Sequence, residues 1–74
     1  MSFSYGKLRA RIRERYKTFA DFAKAAGMSR TSLSLKLNNV STFTAAEITR
    51  ICELLDIPTS EIGDYFFCVK SSEI

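Results

Sequence analysis

The side chains best suited to chemistry in this 74-residue chain crowd into one stretch. Ser29, Arg30, Thr31, Ser32, Ser34, Lys36, Asn38 and Asn39 put hydroxyls, a guanidinium, an ammonium and two carboxamides within eleven positions. These groups give and take hydrogen bonds and carry positive charge. They do not make a catalytic set. The chain has no histidine, no glycine-rich phosphate loop, and only Cys52 and Cys68, far from ligand spacing. Its carboxylates are scattered, and a general acid–base pair would need an enclosed pocket that so small a domain rarely offers. The expectation is a protein that is not an enzyme, with no metal, no cofactor and no small-molecule substrate. Recognition of a polar, anionic partner is the chemistry these residues support.

Such a surface needs a rigid element to hold it. From Thr18 to Asn39 the sequence predicts two short helices meeting at Gly27. Thr18 is placed as N-cap with Asp21 three residues on, an acidic variant of the capping box. Phe19, Phe22, Ala23 and Ala26 follow at helical spacing as a buried face. Gly27 takes positive φ without steric cost and ends the helix. Ser29 caps the second helix, and Met28 can pack on Leu33 as a staple. At about 100° per residue, Leu33 and Leu37 turn inward. Thr31 and Leu35 then lie opposite, flanked by Ser34 and Asn38 on one side and by Ser32 and Lys36 on the other. Two helices too short to bury much alone must cross on a shared core, which is a helix-turn-helix.

Serine and threonine are indifferent helix formers, so stability does not explain their density on one outer face. A helix pressed into a DNA major groove does. Small side chains let the backbone approach, hydroxyls bond bases or phosphates, and Arg30 can take guanine O6 and N7 together. Leu35 has three open readings: an ordinary exposed leucine, a contact to a thymine methyl, or an anchor at a protein interface.

The rest of the chain builds the scaffold. Ser4 is expected to cap a first helix, with Phe3 and Leu8 as its staple and Tyr5, Leu8, Ile12 and Tyr16 as its buried stripe. Arg9 and Arg13 share one flank and Arg11 and Arg15 another, and phosphate contact by some of them is expected. Asn39 is the candidate for left-handed geometry in the loop that follows the second helix. Thr44-Ala-Ala-Glu47 is a full capping box, stapled by Phe43 and Ile48, and Ile48, Ile51, Cys52 and Leu55 face the core. Thr42 and Thr44 could add hydroxyls to a phosphate at that helix start. Pro58 breaks the helix, and Thr59 or Ser60 begins a short fifth one through about Asp64. Tyr65 to Val69 reads as extended chain with Phe66 inward, and is expected either to fold back over the helices or to pair with the same segment of a second copy, the second being preferred.

Length and charge fit one domain over residues 1–74. The net charge of +3 hides an asymmetry. Residues 1–40 carry nine basic and two acidic side chains, and residues 41–74 carry two basic and six acidic ones. A field so polarised would orient a polyanion toward the half that holds the helix-turn-helix. No apolar run approaches the roughly 20 residues of a membrane span and no leader is evident, so no membrane partner is expected and a cytoplasmic location is.

Ala23, Gly27 and Leu33 stand at the spacing that marks the turn of lambda-repressor-like (Xre/Cro-type) helix-turn-helix domains. Gly27-Met-Ser-Arg-Thr-Ser-Leu-Ser, with Leu37-Asn-Asn after it, resembles their recognition helix and following loop. The span from Lys7 to Phe67 also resembles a family of short phage and prophage proteins of Gram-positive bacteria. The resemblance implies an all-α, five-helix lambda-repressor-like bundle with a short C-terminal extended segment. It implies a transcriptional regulator of phage Cro or repressor type, binding double-stranded DNA at a palindromic operator as a homodimer in a bacterial cytoplasm. Tyr65 to Val69 is the expected pairing segment. By position, Ser29, Arg30, Thr31 and Leu35 would face bases, and Ser34, Asn38 and Asn39 would lie near bases or phosphates. Lys36 and Thr44 complete the expected DNA-binding set. Two departures stand out: the glutamine that often opens the motif is Phe19, and a glutamate near the end of the recognition helix is Leu37. The alternative is a helix-turn-helix-like modulator that binds a partner repressor protein rather than DNA, which Leu35, Phe19 and the aromatic tail also fit.

Overall fold

The computed structural model describes residues 3–69. Apolar side chains spaced three and four apart give five short helices: α1 (Gly6–Arg15), α2 (Phe19–Ala25), α3 (Arg30–Leu37), α4 (Ala45–Leu55) and α5 (Ile62–Phe66). A single 3₁₀ turn, Thr59–Glu61, leads into α5. Each helix sends at least one fully buried side chain to a common core: Leu8 and Ile12, Phe22, Leu33, Ile51 and Leu55, and Phe66. Aromatic rings close the gaps between helices in edge-to-face pairs, Tyr16 with Phe22, Tyr5 with Phe43 and Phe43 with Phe66, at centroid distances of 5.2, 5.4 and 5.3 Å. No polar or charged residue among those described is buried.

Local chemistry sets most helix starts. The Thr18 hydroxyl accepts from the Asp21 N–H and Ser29 accepts from Ser32, each at 3.0 Å. Thr44 and Glu47 complete a reciprocal box at 2.9 and 3.1 Å. α1 differs from expectation. Its N-cap is Tyr5, with no side-chain cap bond, and Ser4 instead donates its backbone N–H to the Cys68 carbonyl at 2.6 Å. The chain before α1 is held by the far end of the molecule, and Ser4 stands one residue before the N-cap position.

The helix ends use a device that crosses the fold. Arginines from other helices donate to the last, unpaired carbonyls of three helices. Arg50 reaches Ala25 at the end of α2 (3.3 Å), and Arg9 reaches Leu37 at the end of α3 (3.2 Å). Arg11 reaches both Leu55 and Asp56 at the end of α4, at 2.9 and 3.2 Å. A cation at the negative end of the helix dipole is stabilising, and the carbonyls it meets would otherwise need water. Asp56 takes left-handed geometry (φ 54°) at the end of α4, and its carboxylate accepts from Arg15 at 2.9 Å. Gly27 (φ 78°) and Asn39 (φ 65°) make the other two reversals, as their residue types predict.

The C-terminal stretch corrects the sequence reading. Tyr65 and Phe66 are helical and buried, because Ile62, Tyr65 and Phe66 stand at i, i+3 and i+4 and can cover one face of a helix laid on α1. Lys7 of α1 sits 4.9 Å over the Tyr65 ring and 3.8 Å from Asp64. Only the last part of the segment is extended. Val69 makes an isolated antiparallel bridge to Phe3 of its own chain, and there is no β-strand among the described residues. Phe67 packs edge-on against Phe3 at 5.8 Å yet stays half-exposed, as does Val69. No helix among the described residues is long and apolar enough to cross a membrane.

Candidate nucleic-acid interface

The polar face of α3 is positioned by two leucines and a glycine. Gly27 turns the chain out of α2, Met28 donates its N–H back to Ala23 at 2.9 Å, and Ser29 caps the new helix. Leu33 and Leu37 are then drawn into the core, which fixes the rotation of the helix. Thr31 points to solvent, Leu35 is 40% exposed, and Ser32 and Ser34 are half-buried on the shoulders. Arg30 projects from the first turn, exposed, with no hydrogen-bond or ionic partner among the described residues.

The remaining expected site residues bond within their own chain, although Ser29, Asn38 and Thr44 stay exposed. Asn39 spends both ends of its carboxamide on Phe3, accepting from its N–H at 2.8 Å and donating to its carbonyl at 2.9 Å. Asn38 accepts from Arg9 at 3.0 Å and donates to the Ser34 hydroxyl at 3.4 Å. Lys36 lies 3.5 Å from Glu47 and donates to the Thr42 carbonyl at 3.4 Å. Because Glu47 also accepts from the Thr44 N–H, the α4 capping box and the end of α3 form one network. Thr44 and Ser29 act as caps. The open part of the expected set is Arg30, Thr31, Leu35 and the shoulder Ser34, all on one helix.

The charge around this face is sorted in a way the sequence did not reveal. Of the α1 arginines, Arg9 and Arg11 hold helix ends and Arg15 holds Asp56, with Glu14 3.6 Å from Arg11. The cations left without a bonded partner among the described residues are Arg13, Lys17, Lys24 and Arg30, all in or beside α2. Phe19, at the first position of α2, is half-buried and not part of the core proper. The Arg13 and Arg30 guanidinium carbons lie 5.4 and 5.5 Å from its ring centroid. At the end of α3, Arg9 donates to the backbone carbonyl of Leu37.

Away from α3, Thr49, Cys52, Glu53, Ile57, Thr59 and Ile62, from α4 to the start of α5, line an open cleft of about 400 Å³. Burial pushes the Cys52 thiol above its ordinary pKa, and does the same to the Tyr5 phenol. Among the described residues no group of three His, Cys, Asp or Glu side chains stands close enough to hold a metal ion.

The architecture is therefore a small, mainly helical domain that offers one polar helix face beside a set of unengaged cations. The chain belongs to the family described as Protein of unknown function (DUF739), whose model matches residues 1–69. No curated protein matches the sequence.

Proposed function

We propose that the protein is a sequence-specific DNA-binding transcriptional regulator of the lambda-repressor-like helix-turn-helix type, with α3 in the major groove of a palindromic operator. The observation that carries this reading is the α3 face itself, with Thr31 and Leu35 outward and Ser34 on the shoulder. An α-helix fits the major groove, and residues near its N-terminus are the ones that reach base edges. The unengaged cations beside α2 supply the sequence-independent attraction that such a complex needs. A homodimer reads a two-fold site, and the half-exposed Phe67 and Val69, next to Phe3, offer a surface to a second copy.

A second reading has its own observation. Val40 is 70% exposed and its N–H donates to the carbonyl of Leu35, itself 40% exposed, at 2.9 Å, so a backbone bond joins two exposed apolar residues toward the end of α3. That pair suits a modulator docked on a partner repressor. Filter retention of fragments from the genome that encodes the protein separates the two. DNA binding predicts a few fragments held specifically, with affinity falling steeply as salt rises; no specific fragment held at low salt overturns it.

A further inference from the structure

We propose that Arg13 and Arg30, both set over the ring of Phe19, form a two-arginine site for the phosphodiester backbone of duplex DNA. The inference rests on the DNA-binding reading and assigns Arg30 to the backbone rather than to a base. It starts from a sorting of the six arginines. Arg9, Arg11, Arg15 and Arg50 donate to carbonyls, to a carboxamide or to a carboxylate of their own chain. Arg13 and Arg30 do not, among the described residues, and these two are the ones that meet at Phe19.

The geometry is informative because the two arginines come from different helices, α1 and α3, and converge on the first residue of α2. Sharing one ring keeps their guanidinium carbons within about 11 Å of each other, so the two positive charges act on one patch of surface. No acid among the described residues bonds or pairs with either one. An external anion would supply the partner that both lack. Phe19 keeps each guanidinium carbon close to its ring, and no N–H of either arginine donates to a described residue; a guanidinium so placed can offer the planar fork that matches phosphate oxygens. A ring makes no hydrogen bond to the ligand itself, so Phe19 is a positioning residue.

Duplex backbone is the source that the placement favours. With α3 along the major groove, the preceding helix crosses the sugar–phosphate strand that borders it. The start of α2 is where Phe19 stands, and Lys17, just before it, adds a third exposed cation. Arg30 is drawn toward α2 instead of along the outer face of α3. Backbone contacts set orientation and carry no sequence information, so the site has a distinctive signature: it contributes to salt dependence and not to sequence preference.

The test measures binding by fluorescence anisotropy from 50 to 200 mM salt against two duplexes, one recovered by selection and one of random sequence. Each phosphate neutralised contributes about 0.9 to the log–log slope, so losing one contact should shrink the affinity change over this range by about 3.5-fold. Arg13→Ala and Arg30→Ala are each expected to lower the slope by about that amount on both duplexes and to leave the ratio between them unchanged. Phe19→Leu, which keeps apolar bulk but removes the ring, should weaken binding on both duplexes with an unaltered melting temperature, and Phe19→Tyr should restore it. Wild-type slopes for both arginine variants overturn the site while the DNA reading stands. A change in base preference with Arg30→Ala, at an unchanged slope, overturns it by making Arg30 a base reader. If the wild-type protein binds neither duplex, the DNA reading fails and the site falls with it.

Discussion

Replacing Arg11 with alanine should be among the most damaging changes to any exposed or half-exposed side chain. Its guanidinium donates to the Leu55 carbonyl at 2.9 Å and to the Asp56 carbonyl at 3.2 Å, and its side chain is 26% exposed. Bonds from a charged donor contribute about 1.5–3 kcal/mol each, and water can replace the more exposed of the two. The interaction with the helix terminus adds up to about 1 kcal/mol. The Glu14 contact, at 3.6 Å on an exposed carboxylate, adds little. A net loss of about 2–3 kcal/mol follows, a large share of what a domain this small has to lose. At about 4–8 °C per kcal/mol the melting temperature should fall by roughly 10–20 °C. Thermal unfolding followed by far-ultraviolet circular dichroism measures this directly. Arg13→Ala is the control, since it removes the same charge from the same helix and should stay within about 0.5 kcal/mol of wild type. Equal losses in the two variants would refute the assignment of Arg11 to the end of α4.

Asn39 separates two effects that coincide in the native residue. Asn39→Gly keeps the left-handed backbone and loses both bonds to Phe3, which should cost about 1–2 kcal/mol in urea unfolding; Asn39→Ala should cost about 1 kcal/mol more from backbone strain. Stability should decline as pH rises through the alkaline range. Burial raises the Cys52 thiol from 9.0 and the Tyr5 phenol from 10.0, so above those values the unfolded chain gives up its protons more readily than the folded one. Cys52→Ala should flatten the first part of that decline in a pH series of unfolding midpoints. Leu35→Ala should leave the melting temperature within a degree or two, as expected of an exposed position, while weakening binding to the selected duplex. Unchanged binding would make Leu35 an ordinary surface residue.

What the sequence made legible was local. The Thr44–Glu47 box, the Ser29 and Thr18 caps and the turn at Gly27 each depend on residues within a few positions of one another. The inward pair Leu33 and Leu37 was legible for the same reason, since one helical turn decides it. Long-range partners were not. Arg11 finds its carbonyl 44 residues away and Asn39 finds Phe3 at a separation of 36, so neither engagement leaves a mark in the sequence around it. The arginines of α1 therefore looked alike, although three of the four fasten the fold. Asp56 ends α4 with no basic residue in the last turn of that helix, a gap that a cation from elsewhere could fill, but nothing local says which one. At Tyr65 and Phe66 the β preference of aromatic residues outweighed the helical spacing from Ile62. Burial against α1 settles that conflict in favour of the helix.

Base reading by the outer face of α3 is open to a single experiment: selection of bound duplexes from a random pool, run in parallel with the wild-type protein and a Thr31→Ala, Ser34→Ala, Leu35→Ala triple variant. The wild type should enrich a palindrome with half-sites spaced by about one helical turn, and the folded triple variant should still bind but enrich no such motif. No enriched motif from the wild type, or the same motif from both proteins, would mean that α3 does not read sequence.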